Sequence, residues 1–131
     1  MAHSKMTDRR PLSPHLQVYR LLINMAMSIL HRITGATLYL GTLLVAWWLF
    51  AAAHSESYYN VALGIMGSWL GKLVLLGYTW AVLHHMFGGL RHLIWDTGRG
   101  FDLKTVNFLS WATIIASLAT TAAIWLFAVG F

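Results

Sequence analysis

Cysteine is absent from this 131-residue chain, which excludes disulfides, thiolate metal centres, thioether cofactor attachment and cysteine nucleophiles. Proline is confined to Pro11 and Pro14, where it disfavours continuous helix near the N-terminus. Charge is scarce as well: 10% of residues are charged against 58% apolar, and mean hydropathy is positive. Those proportions exclude an ordinary soluble globule and place the chain in the membrane class. The net charge of +5 does not indicate a nucleic-acid partner, because the basic residues sit at the ends of apolar segments and form no stripe along a soluble helix. No internal repeat or low-complexity tract is visible. The opening MAHSKMTDRRPLSPHLQ lacks the apolar core and small-residue cleavage site of a signal peptide, so the first helix is expected to act as its own insertion signal.

What the sequence does contain is three apolar segments. Residues 1–20 read as a basic arm lying along the membrane surface or against a soluble partner, or as a loose tail carrying positive-inside charges, and residues 21–131 as a three-helix transmembrane domain. Spans are expected at about 30–53, 66–92 and 106–129, each near the roughly 20 residues needed to cross a bilayer. Trp47 and Trp48 lie towards the far end of the first span, as an aromatic belt would. His54 to Asn60 is expected to form a short polar turn, and DTGRGFDLK a second connection in which Gly98 and Gly100 stop a helix. Lys72 lies close enough to the start of its span to snorkel outward.

Lysine and arginine counts set the orientation. Lys5, Arg9, Arg10, Arg20 and Arg32 flank the N-terminal side, and Arg91, Arg99 and Lys104 flank the second connection. The first loop and the C-terminus hold none. The positive-inside rule then places the N-terminus and second connection in the cytoplasm. The fold class is all-α, an integral membrane protein whose three helices form part of a multi-subunit bundle, because so small a set needs partners to complete it.

Polar chemistry is concentrated in HHMFGGLRHLIWD, His84 to Asp96. Ionisable residues at membrane depth usually mark function. His85 and His92 are seven residues apart, nearly two turns, and so share one helical face separated by about 10 Å. Gly88 and Gly89 lie between them, where a flat ligand could approach the backbone. A neutral imidazole beside such a notch suits an axial haem ligand, with His92 nearer water as a propionate partner. Hydrogen bonding to a neighbouring helix and simple close packing at the glycines remain equally open on spacing alone. His85 and His92 cannot both be axial, since neighbours on one face cannot approach opposite sides of one ring. His31 is expected to sit shallower than His85, so a second axial ligand would come from another chain, with His31 and Arg32 left to meet propionates. His84, about 100° around the helix, is the fallback ligand.

Ser28 and Arg32, four apart on one face, could donate hydrogen bonds to a quinone carbonyl, although spacing alone favours a helix cap and an interfacial anchor. Asp96 could pair with Arg91 or Arg99, or relay protons.

The segments RPLSPHLQVYR (Arg10 to Arg20), SILHRITG (Ser28 to Gly35) and HHMFGGLRHLIWDTG (His84 to Gly98) resemble successive signatures of the cytochrome b anchor subunits of succinate dehydrogenase, respiratory complex II. The third apolar segment carries little of that pattern, and LLIN stands where many such subunits have proline. The resemblance implies a three-helix anchor in the bacterial inner membrane, or the mitochondrial inner membrane if organellar. It would be paired with a second membrane-anchor subunit and docked to iron-sulfur and flavoprotein subunits on the cytoplasmic side. It further implies haem b with His85 as one axial ligand and the second on the other anchor, His31 and His92 near the haem propionates, and Ser28 and Arg32 at the ubiquinone site. Succinate would be oxidised on a partner, not on this chain, whose short loops leave no room for a flavin or iron-sulfur domain. The competing readings are a haem-less quinone-binding anchor of the fumarate-reductase type and a structural or transporter subunit; the repeated halves and broken helices common in transporters are missing.

Overall fold

The computed structural model describes residues 19–129, so the reading of the basic arm falls almost wholly outside the described residues. Every regular element is helical: α1 (Ile23–His54), α2 (Glu56–Gly67), α3 (Trp69–Asp96) and α4 (Leu103–Ile124), with α4 widening into a π-helical turn over Trp125–Val129. Among the described residues three helices are long and apolar enough to span a bilayer: Ile23–His54, Trp69–Asp96 and Leu103–Phe127. The protein is an all-α integral membrane protein. At the helical rise, the 32 residues of α1 cover about 48 Å, well beyond the roughly 30 Å hydrocarbon core, so its ends project from the membrane.

The expected polar turn after the first span is instead a helix. Ser55 is the single extended residue, φ −165°, and its hydroxyl oxygen accepts the Tyr58 backbone N–H at 3.2 Å, a cap that restarts the helix at once as α2. The start of the second apolar segment therefore belongs to α2, which lies back against α1. There Trp47 Nε1–H donates to the Tyr58 hydroxyl at 2.9 Å. Ser68 breaks the chain again, accepting Gly71 N–H at 3.1 Å, and α3 begins.

α3 ends where the expected glycines lie. Gly98 (φ +75°) and Gly100 (φ +77°) occupy the left-handed region that other residues avoid. Asp102 then caps α4 by accepting Thr105 N–H at 2.9 Å. That backbone N–H, with the Thr105 side chain, holds the Asp102 carboxyl below its ordinary range.

The exterior is apolar: Leu43, Leu73 and Phe108, for example, are all exposed. The interior is narrow and mixes small apolar residues such as Ala51 and Ala81 with polar ones. On α4, Ser110, Thr113, Ser117 and Thr121 are buried at spacings of three and four, a seam of small residues against α3. Lipid removes the hydrophobic drive for helices to associate, so close approach and hydrogen bonds must supply it. Each of these hydroxyls donates to a carbonyl of its own helix at 2.7–2.9 Å, which leaves its oxygen free to accept from α3. The α1–α3 contact uses glycine instead. Gly35 lies under the His85 ring, Gly41 under Tyr78 and Gly88 under His31. α3 is thus the central helix, with one face to α1 and another to α4.

Candidate functional site

α3 distributes its polar residues between these two faces. His85 and His92 turn to α1, while His84 and Arg91, roughly one-quarter turn away, turn to α4.

On the α1 side the His31 and His85 rings stack, centroids 4.0 Å apart and 6° from parallel. The His92 ring is 5.2 Å from His31 on the other side. His31 therefore fills the gap between the two α3 histidines. A Cβ on Gly88 would lie 2.5 Å from His31 Nδ1, whereas Gly89 faces open space. Two expectations are corrected here. The Gly88 half of the expected notch receives the His31 side chain, while the Gly89 half stays open. And His31 is level with His85, because α1 starts at Ile23, about 12 Å of helix before His31.

The hydrogen bonds of His85 determine its tautomer. Its Nδ1 is 3.1 Å from the His31 carbonyl oxygen, and a carbonyl can only accept, so Nδ1 carries the hydrogen and Nε2 the free lone pair. Half-buried His85 thus offers one imidazole lone pair held in place by a backbone partner, the arrangement usual for a metal-ligating histidine. Among the described residues no group of three or more His, Cys, Asp and Glu is placed to hold a metal ion. A metal bound through His85 would therefore need its remaining ligands from beyond the described residues. His31 cannot provide one opposite His85, since face-to-face rings present their nitrogens side by side.

On the α4 side His84 is fully buried. Ser117 already donates its hydrogen to Ile114 O, so His84 Nδ1–H donates to Ser117 Oγ at 3.3 Å. Trp80 covers the ring at 5.1 Å. Enclosed in this way, His84 keeps its Nε2 buried and without a hydrogen-bond partner among the described residues.

Arg91, counted above among the connection charges, is also buried, 3% exposed. Its guanidinium donates to Ser110 Oγ at 3.3 Å and lies 5.0 Å from the Trp95 ring centre, a cation–π contact. Its Nε has no hydrogen-bond partner among the described residues, and Asp96, exposed at the end of α3, does not pair with it. Trp95 is fixed in turn by donating Nε1–H to Gly100 O at 3.1 Å.

Near the start of α1, Ser28 and Arg32 line one cleft of about 500 Å³ with Tyr19, Asn24 and Met25. Both are exposed, and Arg32 Nε–H reaches back to Ser28 O at 3.3 Å, which draws the guanidinium towards the serine. Asn24, one turn before Ser28, was passed over in the sequence although its spacing put it on the same face. A second cleft, about 320 Å³, lies between the other end of α1, α2 and α3 and is lined by apolar residues such as Trp48, Met66 and Tyr78. It contains no charged side chain.

Thr34 and the α4 hydroxyls were also missed. The latter were legible as a three-and-four spacing; Thr34 became a candidate only once α3 was placed against it.

Residues 6–124 match the model of the succinate dehydrogenase/fumarate reductase transmembrane subunit family. The chain is 45% identical to the succinate dehydrogenase cytochrome b556 subunit of Paracoccus denitrificans over 83% of this chain and 84% of the relative. It is 36% identical to that of Rickettsia felis over 90% and 92%. Against the mitochondrial cytochrome b560 subunit of Sus scrofa it is 34% identical, over 80% of this chain and 63% of the relative.

Proposed function

The chain belongs to the succinate dehydrogenase/fumarate reductase transmembrane subunit family, and from that premise we propose that it is the cytochrome b anchor of a succinate:ubiquinone oxidoreductase. In this reading it binds haem b jointly with a second membrane-anchor subunit and contributes to the site where ubiquinone is reduced. Succinate oxidation belongs to a flavoprotein partner, with an iron-sulfur partner between. The complex sits in the bacterial inner membrane with the N-terminus cytoplasmic. Removing buried Arg91 from the positive-inside count leaves Arg99 and Lys104 with the N-terminal basic residues on the same side, so the orientation argument is unchanged.

The observation that carries the haem assignment is the Nδ1–H of His85 held by His31 O at 3.1 Å, which leaves Nε2 as the ligating atom. The residues fit the group: an imidazole with a fixed tautomer, half-buried, and with no second suitably directed histidine among the described residues. Haem when bound supplies one-electron redox capacity. His85 would be one axial ligand, the partner anchor would supply the other, and His31 and His92 are the candidates for the propionates.

For the quinone, the cleft at Ser28 and Arg32 supports the reading. The Ser28 hydroxyl can donate to a quinone carbonyl and orient the ring. The Arg32 guanidinium, drawn in by Ser28 O, stabilises negative charge as it develops on that oxygen. Arg32 stays charged throughout, so the protons taken up by the reduced quinone come from another source.

In the complex purified from membranes, a reduced-minus-oxidised visible spectrum tests the haem part and the rate of quinone reduction tests the quinone part. His85→Ala abolishes the b-type band. Ser28→Ala and Arg32→Ala keep the band and slow quinone reduction, Arg32→Ala by about 10-fold or more, the loss of a hydrogen bond to a charged group. An unchanged band in His85→Ala would overturn the haem assignment, and unchanged quinone kinetics in both other variants the quinone assignment.

A further inference from the structure

We propose that Thr34 is a positioning residue for the His85 ligand, acting as a second acceptor for its Nδ1–H and locking the imidazole about its own axis. The inference rests on the haem reading of His85 given above and concerns a residue of α1 to which no role has been assigned.

Thr34 is 2% exposed and its hydroxyl stands at the junction of α1 and α3. Oγ1 is 2.9 Å from Leu30 O, 3.0 Å from His31 O and 3.4 Å from His85 Nδ1. A threonine hydroxyl has one hydrogen. Two carbonyls compete for it and neither can donate, so the hydrogen points back into α1. What Oγ1 presents to His85 is a lone pair. The Nδ1–H accordingly lies between two acceptors, His31 O at 3.1 Å and Thr34 Oγ1 at 3.4 Å.

One acceptor fixes which nitrogen is protonated. Two acceptors on neighbouring turns also fix how far the ring is rotated, because rotation that improves one contact lengthens the other. Stacked His31, 4.0 Å away, and the Gly35 backbone, where a Cβ would lie 3.0 Å from His85 Cε1, confine the ring further. Hydroxyl, carbonyl and ring stack all come from one α1 stretch, His31 to Gly35, so α1 serves as a cradle for a ligand on α3. Partners of this kind orient metal-bound histidines and increase their basicity.

The test replaces Thr34 in the complex purified from membranes. Thr34→Val keeps the shape and removes the acceptor; Thr34→Ser restores it. With one acceptor fewer, the imidazole is a poorer electron donor and the ferrous state gains. The expected shift is about threefold in the ferric-to-ferrous balance, from the lower end of a hydrogen bond's worth, or about 30 mV upward at 59 mV per tenfold. The ferric low-spin signal, which reports the orientation of the axial imidazole, moves with it. Thr34→Ser returns both to native values. An unshifted potential and signal in Thr34→Val overturn the proposal, and so does a shift that Thr34→Ser fails to reverse. If Thr34→Val loses haem outright, recovery in Thr34→Ser supports the proposal and loss in both overturns it. Native complex without a b-type band would instead refute the haem reading itself.

Discussion

Gly88→Ala is the sharpest perturbation of the α1–α3 contact. The added Cβ lies 2.5 Å from His31 Nδ1 and 3.1 Å from Cε1, where ordinary contact is about 3.5–4.0 Å. The ring must retreat by about 1 Å. It has nowhere easy to go, since one side is stacked on His85 at 4.0 Å and His92 closes the other at 5.2 Å. Either the stack breaks or α1 and α3 separate. Overpacking of this kind costs about 1–3 kcal/mol. Replacing a helical glycine by alanine also contributes about 1 kcal/mol in favour of folding, which would obscure the clash in a single measurement. Gly89→Ala gains the same propensity and meets nothing within 4 Å, so it cancels that contribution. In matched unfolding titrations of the chain in detergent micelles, followed by helicity, Gly88→Ala should be less stable than Gly89→Ala by about 1–3 kcal/mol. Equal stability of the two variants would refute the assignment of the Gly88 surface to His31.

Two further perturbations address the other face and the loop. Ser117→Ala removes the acceptor of buried His84 Nδ1–H and should cost about 1–3 kcal/mol, the penalty of an unsatisfied buried donor; the same titration with no loss would show that His84 finds another partner. Asp102 caps α4 as a carboxylate, with a pKa held below the ordinary 3.8 by the Thr105 N–H. A depressed pKa means that its contribution is full above the unfolded value and fades as pH falls through the folded one. Protection of the Thr105 amide, measured against its intrinsic exchange rate at each pH, should therefore fall below about pH 4 in the native chain, while Asp102→Asn, which caps without titrating, should show no such step.

Some of this protein was determined by composition and spacing alone. Lipid admits helices or closed barrels, and continuous apolar runs of about 20 residues, unlike the short alternating strands of a barrel, select helices, so three spanning helices follow from the hydropathy pattern, and Gly98 and Gly100 mark the end of α3 because few other residues adopt positive φ. The four-residue interval placed Ser28 and Arg32 on one face, and they do line one cleft. The same helical repeat separated His84 from His85. What it could not supply was depth and pairing. His31 was set too shallow because the uncharged run begins later than the helix, which extends back to Ile23 through residues that tolerate the interface. Arg91 was read as a surface charge because a one-dimensional pattern cannot show Ser110 and Trp95 waiting to receive it. The turn after His54 became α2 because a single serine cap can both end and restart a helix. The contacts that define His85, its stack on His31 and its shared proton with Thr34, join residues more than fifty positions apart. Those depend on how two helices rotate against each other, and in lipid that rotation is decided by where glycine and hydroxyl permit close approach.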